Sequence, residues 1–329
     1  MSSYSRLIKT LGAPRVKLKE VLKNYSSLKI GGPADLFFKA QNINDLILAV
    51  ESAQKNNTDY FILGGGTNIL FSDAGFRGLI IKNETGNIRL KGLTGRRFAQ
   101  SQAVSLVNKI YLEVDSGVTI NRLVRNTVDQ GFAGLENFLG QPGTVGGAMW
   151  INAHNVSESK YFGDFVKAAT ILNPKNGLLK VACEYFHFAY DYSVIQTSAD
   201  IVLTVTLELA VGEKSELWKI ARNALYYRQK TQPTGVSSAG CIFRNIDKSD
   251  AIRLATPNYT CSAGFLLDAC GLKGMTIGQA RISDHHANFL VNIGNAKAVD
   301  VLELINLAQK RVKQKFNVNL KPEVVILAA

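Results

Sequence analysis

The residue types that most suggest ligand binding lie in a short glycine-rich segment after the apolar run 61–63. Its members are small or polar: Gly64, Gly65, Gly66, Thr67 and Asn68. Glycine accepts positive φ angles and carries no Cβ, so such a segment can bring several backbone N–H groups close to an anion. The sequence therefore predicts a site for a phosphate-bearing ligand. The alternative interpretation is a tight turn between two strands.

A second segment of this kind follows about eighty residues later. Its candidate ligand-binding residues are Gly143, Thr144, Gly146 and Gly147. Two loops that expose backbone amides fit one ligand held by both, most simply a dinucleotide with its pyrophosphate between them. Glycine-based packing turns are the alternative. The first segment leads into a predicted short strand instead of a helix, so it does not match a Rossmann fingerprint.

The bulk properties limit the class of protein. A chain of 329 residues with 46% apolar residues can form two or three domains with separate cores. No apolar run is long enough to span a bilayer, and the first residues lack the apolar core of a secretion signal. We therefore expect a cytoplasmic protein without membrane insertion. The net charge of +12 comes mostly from scattered basic residues, which favours small anionic ligands, with nucleic acid as the weaker alternative.

The cysteines and histidines show no metal-ligand spacing, so we expect no metal site and reduced thiols. The four cysteines are Cys183, Cys241, Cys261 and Cys270.

Hydrophobic periodicity predicts the elements that position these residues. The first glycine segment is preceded by a strand at 35–39, a helix at 45–55 capped by Asn44, and a strand at 60–63. The second glycine segment is preceded by a looped insertion at 83–102, a strand at 109–115 and a helix that starts at Ile120. Thr119 is the predicted N-cap of that helix, and Gly131 ends it in the C′ position. The predicted later elements are strands 166–173, 177–182 and 201–209, helix 215–228, strand 241–244, helix 262–269, strands 278–282 and 288–292, helix 299–315 and strand 323–327.

Several motifs, in order, resemble one family, the UDP-N-acetylenolpyruvoylglucosamine reductases (MurB). The resemblance covers about residues 20–329 and is carried by segments 27–34, 63–73, 140–148, 238–245, 263–274, 286–289 and 320–324. The chain is similar to the shorter type of the family, because 193–201 leaves no room for an extra tyrosine-bearing loop.

The resemblance implies an α+β fold, with a two-subdomain FAD-binding domain of the vanillyl-alcohol-oxidase (PCMH) type followed by a C-terminal α+β substrate-binding domain. The expected parts are a leader at 1–23, FAD-binding subdomains at 24–82 and 83–213, and the substrate-binding domain at 214–329.

The implied activity is the NADPH-dependent reduction, through FAD, of UDP-N-acetylenolpyruvoylglucosamine to UDP-N-acetylmuramate, a step of peptidoglycan precursor synthesis. A monomer acting on a small UDP-sugar is expected. One alternative is another FAD-dependent oxidoreductase on the same scaffold, such as an oxidase. The other is a flavin- or UDP-sugar-binding protein without turnover.

The resemblance also implies catalytic residues. Negative charge develops beside the substrate carboxylate, so the site needs a proton donor. Cys241 stands where the family usually has serine as that donor, and a thiol releases its proton more readily than a hydroxyl. The alternative is a small buried apolar cysteine. Glu323 matches a glutamate that assists protonation, with a solvated surface carboxylate as its alternative.

Asp191 departs from the family pattern, which commonly has arginine at this position to support the enolate. Two like charges about 4 Å apart repel by roughly 4 kcal/mol at an effective dielectric of 20. We therefore expect Asp191 to point away from the substrate while a cation such as Arg228, Lys230 or Arg244 substitutes for the arginine. The alternative is an activity that is weakened or changed. The remaining residues expected to bind substrate are Tyr190, Arg228, Arg244, Lys273, His286 and Asn288, with a core histidine as the alternative for His286.

Overall fold

The structure, a computed structural model, describes residues 3–96, 106–155 and 160–327. It confirms a mixed α+β fold. The helices are α1 (Ser3–Leu11), α2 (Ile43–Lys55), α3 (Ile120–Asp129), α4 (Val145–Ile151), α5 (Ile195–Ser198), α6 (Lys214–Thr231), α7 (Lys248–Arg253), α8 (Ala263–Ala269) and α9 (Ala298–Phe316). The first nine strands are β1 (Val16–Val21), β2 (Pro33–Ala40), β3 (Tyr60–Leu63), β4 (Ile69–Phe71), β5 (Phe76–Asn83), β6 (Ile88–Arg96), β7 (Leu106–Asp115), β8 (Phe132–Ala133) and β9 (His154–Asn155). The later strands are β10 (Lys160–Tyr161), β11 (Val166–Asn173), β12 (Gly177–Ala182), β13 (Ile201–Val211), β14 (Ser237–Cys241), β15 (Thr276–Ile277), β16 (Ala280–Ile282), β17 (Phe289–Asn292) and β18 (Val325–Leu327).

The chain forms two compact units that are discontinuous in sequence. The first unit comprises Met1–Arg15, Phe38–Gly65 and Ile81–Arg228, and the second comprises Val16–Phe37, Gly66–Ile80 and Gln229–Ala329. The domain boundaries expected from the sequence stay a prediction.

The first unit is built on an antiparallel sheet with the order β12-β11-β13-β7-β6, in which β8 also pairs with β13. Alternate residues of β13, including Val205 and Leu207, are buried because one side of the strand faces the core. Helix α3 places Leu123 and Val124 in the same core. Its predicted signals are confirmed: the Thr119 side chain accepts a hydrogen bond from the Arg122 amide, and Gly131 follows the helix with φ 71°.

The second unit is built on an antiparallel sheet with the order β14-β17-β16-β15, against which α9 packs Val301 and Leu304. The start of α9 is capped from a distant part of the chain, since the Asp73 carboxylate accepts hydrogen bonds from the amides of Ala298 and Val299. A separate parallel pair joins β18 to β4, with Val325 opposite Ile69. The strand that follows the first glycine segment is therefore held by the last strand of the chain.

The structure corrects several predicted elements. The expected leader contains α1 and the strand β1, which pairs with β2. The expected loop at 83–102 contains β6, which pairs with β7 although its sequence is polar, while residues 97–102 of that insertion lie outside the described residues. Helix α2 is capped by Asn42, whose side chain accepts a hydrogen bond from the Asp45 amide, so the predicted Asn44 cap was wrong.

Candidate active site

The two glycine segments meet inside the first unit. A Cβ added to Gly64 would lie 2.6 Å from the Thr144 Oγ1, a distance that real Cβ atoms do not reach. Thr144 is the N-cap of α4, and its hydroxyl accepts a hydrogen bond from the Gly147 amide at 3.3 Å. The absence of a side chain at Gly64 is therefore what allows this close approach.

The second glycine segment is held by the turn that follows β7. The Gly146 amide donates to the Ser116 carbonyl at 2.7 Å, and a Cβ on Gly146 would lie 3.2 Å from that oxygen. Gly143 adopts φ 110°, where a residue with a Cβ is strained, and its carbonyl accepts from the Ile120 amide. The structure thus explains Gly146 by close backbone packing and Gly143 by its positive φ angle.

Residues 66–68 of the first glycine segment belong to the second unit, whereas Gly65 still belongs to the first. Gly66 adopts φ 65°, and a Cβ there would lie 1.9 Å from the Tyr25 carbonyl oxygen. The Asn68 side-chain amide donates to the Glu323 carbonyl at 3.2 Å, and the Asn68 carbonyl accepts from the Val325 amide. The segment expected to bind cofactor is therefore anchored to the chain end that carries the candidate glutamate.

These residues fit a dinucleotide such as FAD. Among the described residues, neither the Gly65 amide nor the Thr67 amide donates a hydrogen bond to the protein. The Asn68 Oδ1 and the Gln141 Oε1 are buried and accept none within the described chain. Buried polar atoms are normally satisfied, so such groups indicate ligand or solvent contacts. Gly65, Thr67 and Asn68 would be the donors and acceptors for the cofactor.

Cys241 and Glu323 are brought together by the backbone of the second unit. Cys241 is the last residue of β14, and the next residue, Ile242, accepts a hydrogen bond from the Glu323 amide at 2.7 Å. The Arg244 amide donates to the Lys321 carbonyl, and Phe243 bridges to Pro322. Two candidates separated by 82 positions thus lie on adjacent segments of chain.

Asn288 supports this arrangement through the backbone. Its side chain is buried and makes two hydrogen bonds to the backbone of Phe243. The Oδ1 accepts from the Phe243 amide at 3.0 Å, and the Nδ2 donates to the Phe243 carbonyl at 2.8 Å. Its own carbonyl accepts from the Ile242 amide. The contacts of Asn288 therefore position the segment that follows Cys241.

His286 is neutral in this environment. Its Nδ1 accepts a hydrogen bond from the Asn288 amide at 3.2 Å, so the ring proton resides on the Nε2. Burial lowers the pKa of His286, and the charges of His285 and Lys273 lower it further. The ring packs edge-on against Phe289, and a Cβ on Gly264 would lie 2.9 Å from it.

Two further substrate-binding candidates differ in their contacts. The Lys273 ammonium donates to the Asp268 carboxylate at 2.8 Å in a largely exposed ion pair. The Nε of Arg244 is buried and has no hydrogen-bond partner among the described residues. A buried guanidinium nitrogen without a partner is costly, which favours Arg244 over Lys273 as a ligand-binding cation.

Asp191 is buried, with 1% of its surface exposed, and its Oδ1 lies 3.5 Å from the Nδ1 of His154. It occupies a tight turn, with φ 50°, in which Ala189 and Tyr192 pair. The His154 ring also packs against Tyr190, with centroids 5.3 Å apart.

The charge of Arg228 acts on the same imidazole. Burial lowers the pKa of His154, Asp191 opposes this shift, and Arg228 adds to it. Arg228, Asp191 and Tyr190 were predicted from the sequence, and the structure groups them around His154. His154 was not predicted, because a single histidine between Ala153 and Asn155 gives no signal before the turn at Asp191 is placed beside it.

The described residues contain no helix long and apolar enough to cross a membrane. Within the same ranges, no group of three histidine, cysteine or acidic side chains could hold a metal ion.

Comparison with known proteins identifies two matching family models. Residues 34–182 match the model described as an FAD binding domain. Residues 232–327 match the C-terminal domain of UDP-N-acetylenolpyruvoylglucosamine reductase. Together they bear out the expected order of an FAD-binding part followed by a C-terminal domain of that reductase.

Similar proteins match along almost their whole length. The UDP-N-acetylenolpyruvoylglucosamine reductase of Alkaliphilus metalliredigens is 33% identical, with 98% of this chain and 97% of the relative covered. That of Anoxybacillus flavithermus is 36% identical, with 95% and 94% covered. The crystal structure of the reductase (MurB) from Thermus caldophilus aligns with a TM-score of 0.72 and 29% identity, covering 95% of this chain and 98% of that one.

Proposed function

The chain belongs to the UDP-N-acetylenolpyruvoylglucosamine reductase family, and we propose that it reduces the enolpyruvyl group of that UDP-sugar with FAD and NADPH. The product is UDP-N-acetylmuramate, so the enzyme acts in peptidoglycan precursor synthesis. The observation that carries the proposal is the hydrogen bond between the Glu323 amide and the Ile242 carbonyl. It holds a carboxylate and the Cys241 thiol on adjacent segments of one unit.

The overall change adds two electrons and two hydrogen nuclei across the carbon–carbon double bond. Bound FAD supplies the hydride chemistry that links NADPH to the vinyl carbon of the substrate. We assign Gly64, Gly65, Gly66, Thr67, Asn68 and the segment with Gly143, Thr144, Gly146 and Gly147 to holding that cofactor. The Gly65 and Thr67 amides, which donate to no described residue, and the small side chains of both segments support this assignment.

The protein's own residues handle the proton. The Cys241 thiol donates a proton to the carbon beside the substrate carboxylate, and Glu323 assists this transfer. A thiol is mostly protonated at neutral pH yet releases its proton more readily than a serine hydroxyl does. The position of Cys241 at the end of β14, next to the bonded pair Ile242 and Glu323, supports both roles.

The cation beside the substrate carboxylate is Arg228 in this proposal, with Tyr190 next to it. The carboxylate of Asp191 is turned toward His154, and the Arg228 charge acts on the same ring. Since Asp191 is buried against the imidazole, its charge is not directed at an anionic ligand. Arg244, His286 and Asn288 are assigned to substrate binding, Asn288 mainly by fixing the Phe243 backbone. Lys273 stays the least supported member, because it is paired with Asp268.

The enzyme works as a monomer in the cytoplasm in this proposal, with the small UDP-sugar as its partner.

The decisive experiment uses the visible spectrum of the purified chain. The expected results are a yellow protein with a flavin spectrum, bleaching by NADPH without oxygen, and return of the colour when UDP-N-acetylenolpyruvoylglucosamine is added. Recovery of colour only on admission of oxygen would identify an oxidase instead. A flavin that NADPH does not bleach would identify a binding protein without turnover.

A further inference from the structure

Lys82, near the end of β5, contacts the first glycine segment directly. Its ammonium group donates a hydrogen bond to the carbonyl oxygen of Gly64. Gly64 is also the residue that packs against the Thr144 hydroxyl. Lys82 therefore acts on the carbonyl of a residue that also lies against Thr144 of the second glycine segment.

The direction of the Gly64 carbonyl determines the direction of the next amide. The peptide bond between Gly64 and Gly65 is trans, as are all the peptide bonds that the structure describes. In a trans peptide the C=O and the following N–H lie in one plane and point in opposite directions. Because Lys82 draws the Gly64 oxygen toward itself, the Gly65 N–H points away from it. Gly65 is exposed, and its amide donates to no described residue.

Lys82 has two charged neighbours, Lys39 and Glu84. Lys39 and Glu84 form an ion pair at 2.9 Å, and both act electrostatically on Lys82. Burial lowers the pKa of Lys82, Glu84 opposes the shift, and Lys39 adds to it. Lys39 itself is paired with Glu84, and it provides a matched lysine that makes no described contact with Gly64.

We propose that Lys82 is a positioning residue for the cofactor: by holding the Gly64 carbonyl, it aims the Gly65 amide at a phosphate of the FAD. This inference rests on the proposed function, since it specifies how the glycine segment binds the diphosphate. Lys82 contributes through the peptide it orients, and its effect is restricted to ligands that carry phosphate.

The test measures the dissociation constants of FAD and of riboflavin, which lacks phosphate, for flavin-free full-length protein by quenching of flavin fluorescence. Lys82→Met removes the donor and keeps the side-chain length. It is expected to weaken FAD binding at least tenfold, the scale of a lost hydrogen bond to a charged group, and to change riboflavin binding less than about twofold. Lys82→Arg keeps a charged donor and should restore FAD binding to within about threefold of the wild type.

Lys39→Met is the matched control, since it removes a neighbouring lysine of the same charge. It is expected to leave FAD binding within about twofold of the wild type. A Lys82→Met protein that binds FAD like the wild type would overturn the positioning role of Lys82 and leave the proposed function intact. Equal losses of FAD and riboflavin binding would also overturn it, because they indicate a general disturbance of the loop. A wild-type chain that binds no FAD would overturn the proposed function as well.

Discussion

Gly64 lies against Thr144 so closely that a Cβ on the glycine would be 2.6 Å from the threonine Oγ1. Eighty positions separate the two residues in the chain. The threonine hydroxyl is already engaged, since it accepts a hydrogen bond from Gly147 at the start of α4. A side chain at Gly64 therefore competes directly with the cap of that helix.

Replacing Gly64 with alanine is expected to destabilise the protein by about 1–3 kcal/mol, the usual cost of overpacking. In a Thr144→Ala background the same change should cost less, because the new Cβ would lie 3.7 Å from the remaining Cβ of residue 144, an ordinary contact. The free energy of unfolding in urea for the two single variants and the double variant measures this coupling. Gly92→Ala is the control, since nothing lies within 4 Å of a Cβ there. If the unfolding free energies lost in the two single variants simply add in the double variant, the contact between Gly64 and Thr144 is contradicted.

Replacing Cys241 with alanine removes the proposed proton donor. Turnover is expected to fall by about 10²–10⁴-fold, while anaerobic bleaching of the flavin by NADPH continues at the wild-type rate. Stopped-flow absorbance separates the two half-reactions. Cys241→Ser should retain turnover and lose the sensitivity to peroxide that a thiol confers. Cys261→Ser, a second thiol of the same unit, should change neither property. An alanine variant with normal turnover would remove Cys241 from the mechanism.

Replacing Asn288 with alanine leaves both the amide and the carbonyl of Phe243 without their side-chain partners. Each unsatisfied buried group costs about 1–3 kcal/mol, so we expect a large loss of stability together with lower turnover. Urea unfolding and steady-state kinetics measure the two effects. Asn288→Asp should be at least as destabilising as alanine, because its buried carboxylate places an oxygen against the Phe243 carbonyl that the wild-type amide donates to. The exposed Asn295→Ala provides the control. Wild-type stability for Asn288→Ala would refute the positioning role.

The pH dependence of stability follows from two half-buried histidines. Burial lowers the pKa of both His154 and His286 in the folded state. The unfolded state, with a histidine pKa near 6.5, then binds more protons than the folded state below about pH 6.5. The stabilisation present above that pH is therefore lost as the pH falls through the unfolded pKa toward the folded values. We expect the free energy of unfolding in urea to decrease between about pH 7 and pH 5.

A variant with both His154→Gln and His286→Gln should show a flatter profile in that window. Carboxylates titrate below this pH window and do not contribute to the change. Asp45 is an example, because its ion pair with Arg15 lowers its pKa. A wild-type protein with equal stability at pH 7 and pH 5 would contradict the lowered pKa of the two histidines in the folded state.

Local signals in the sequence were sufficient for much of the secondary structure. The apolar alternation in 201–209 and the cap at Thr119 each depend on residues close together in the chain, so β13 and α3 were predicted well. Elements whose stability comes from pairing were missed. Strand β6 is polar and forms because β7 lies beside it, and β1 forms beside β2.

Some residues of the candidate site could be predicted from the sequence, and others could be found only in the structure. Composition pointed to the glycine segments, whereas Cys241 and Glu323 were predicted from the family resemblance of the motifs that contain them. Lys82 and His154 gave no such signal, since a lysine in a strand or a single histidine is usually unremarkable. Their roles depend on the Gly64 carbonyl and on the Asp191 carboxylate, which only the folded chain brings within reach.

The amino-acid sequence by itself determined the family, the cofactor class and most elements of this protein, because these depend on residue identity and short-range periodicity. The tertiary structure alone decided that Gly64 meets Thr144, that Asn288 holds the backbone of Phe243, and that Asp191 faces His154. Such contacts join residues far apart in the chain, and their energies depend on burial and distance, which no local pattern encodes.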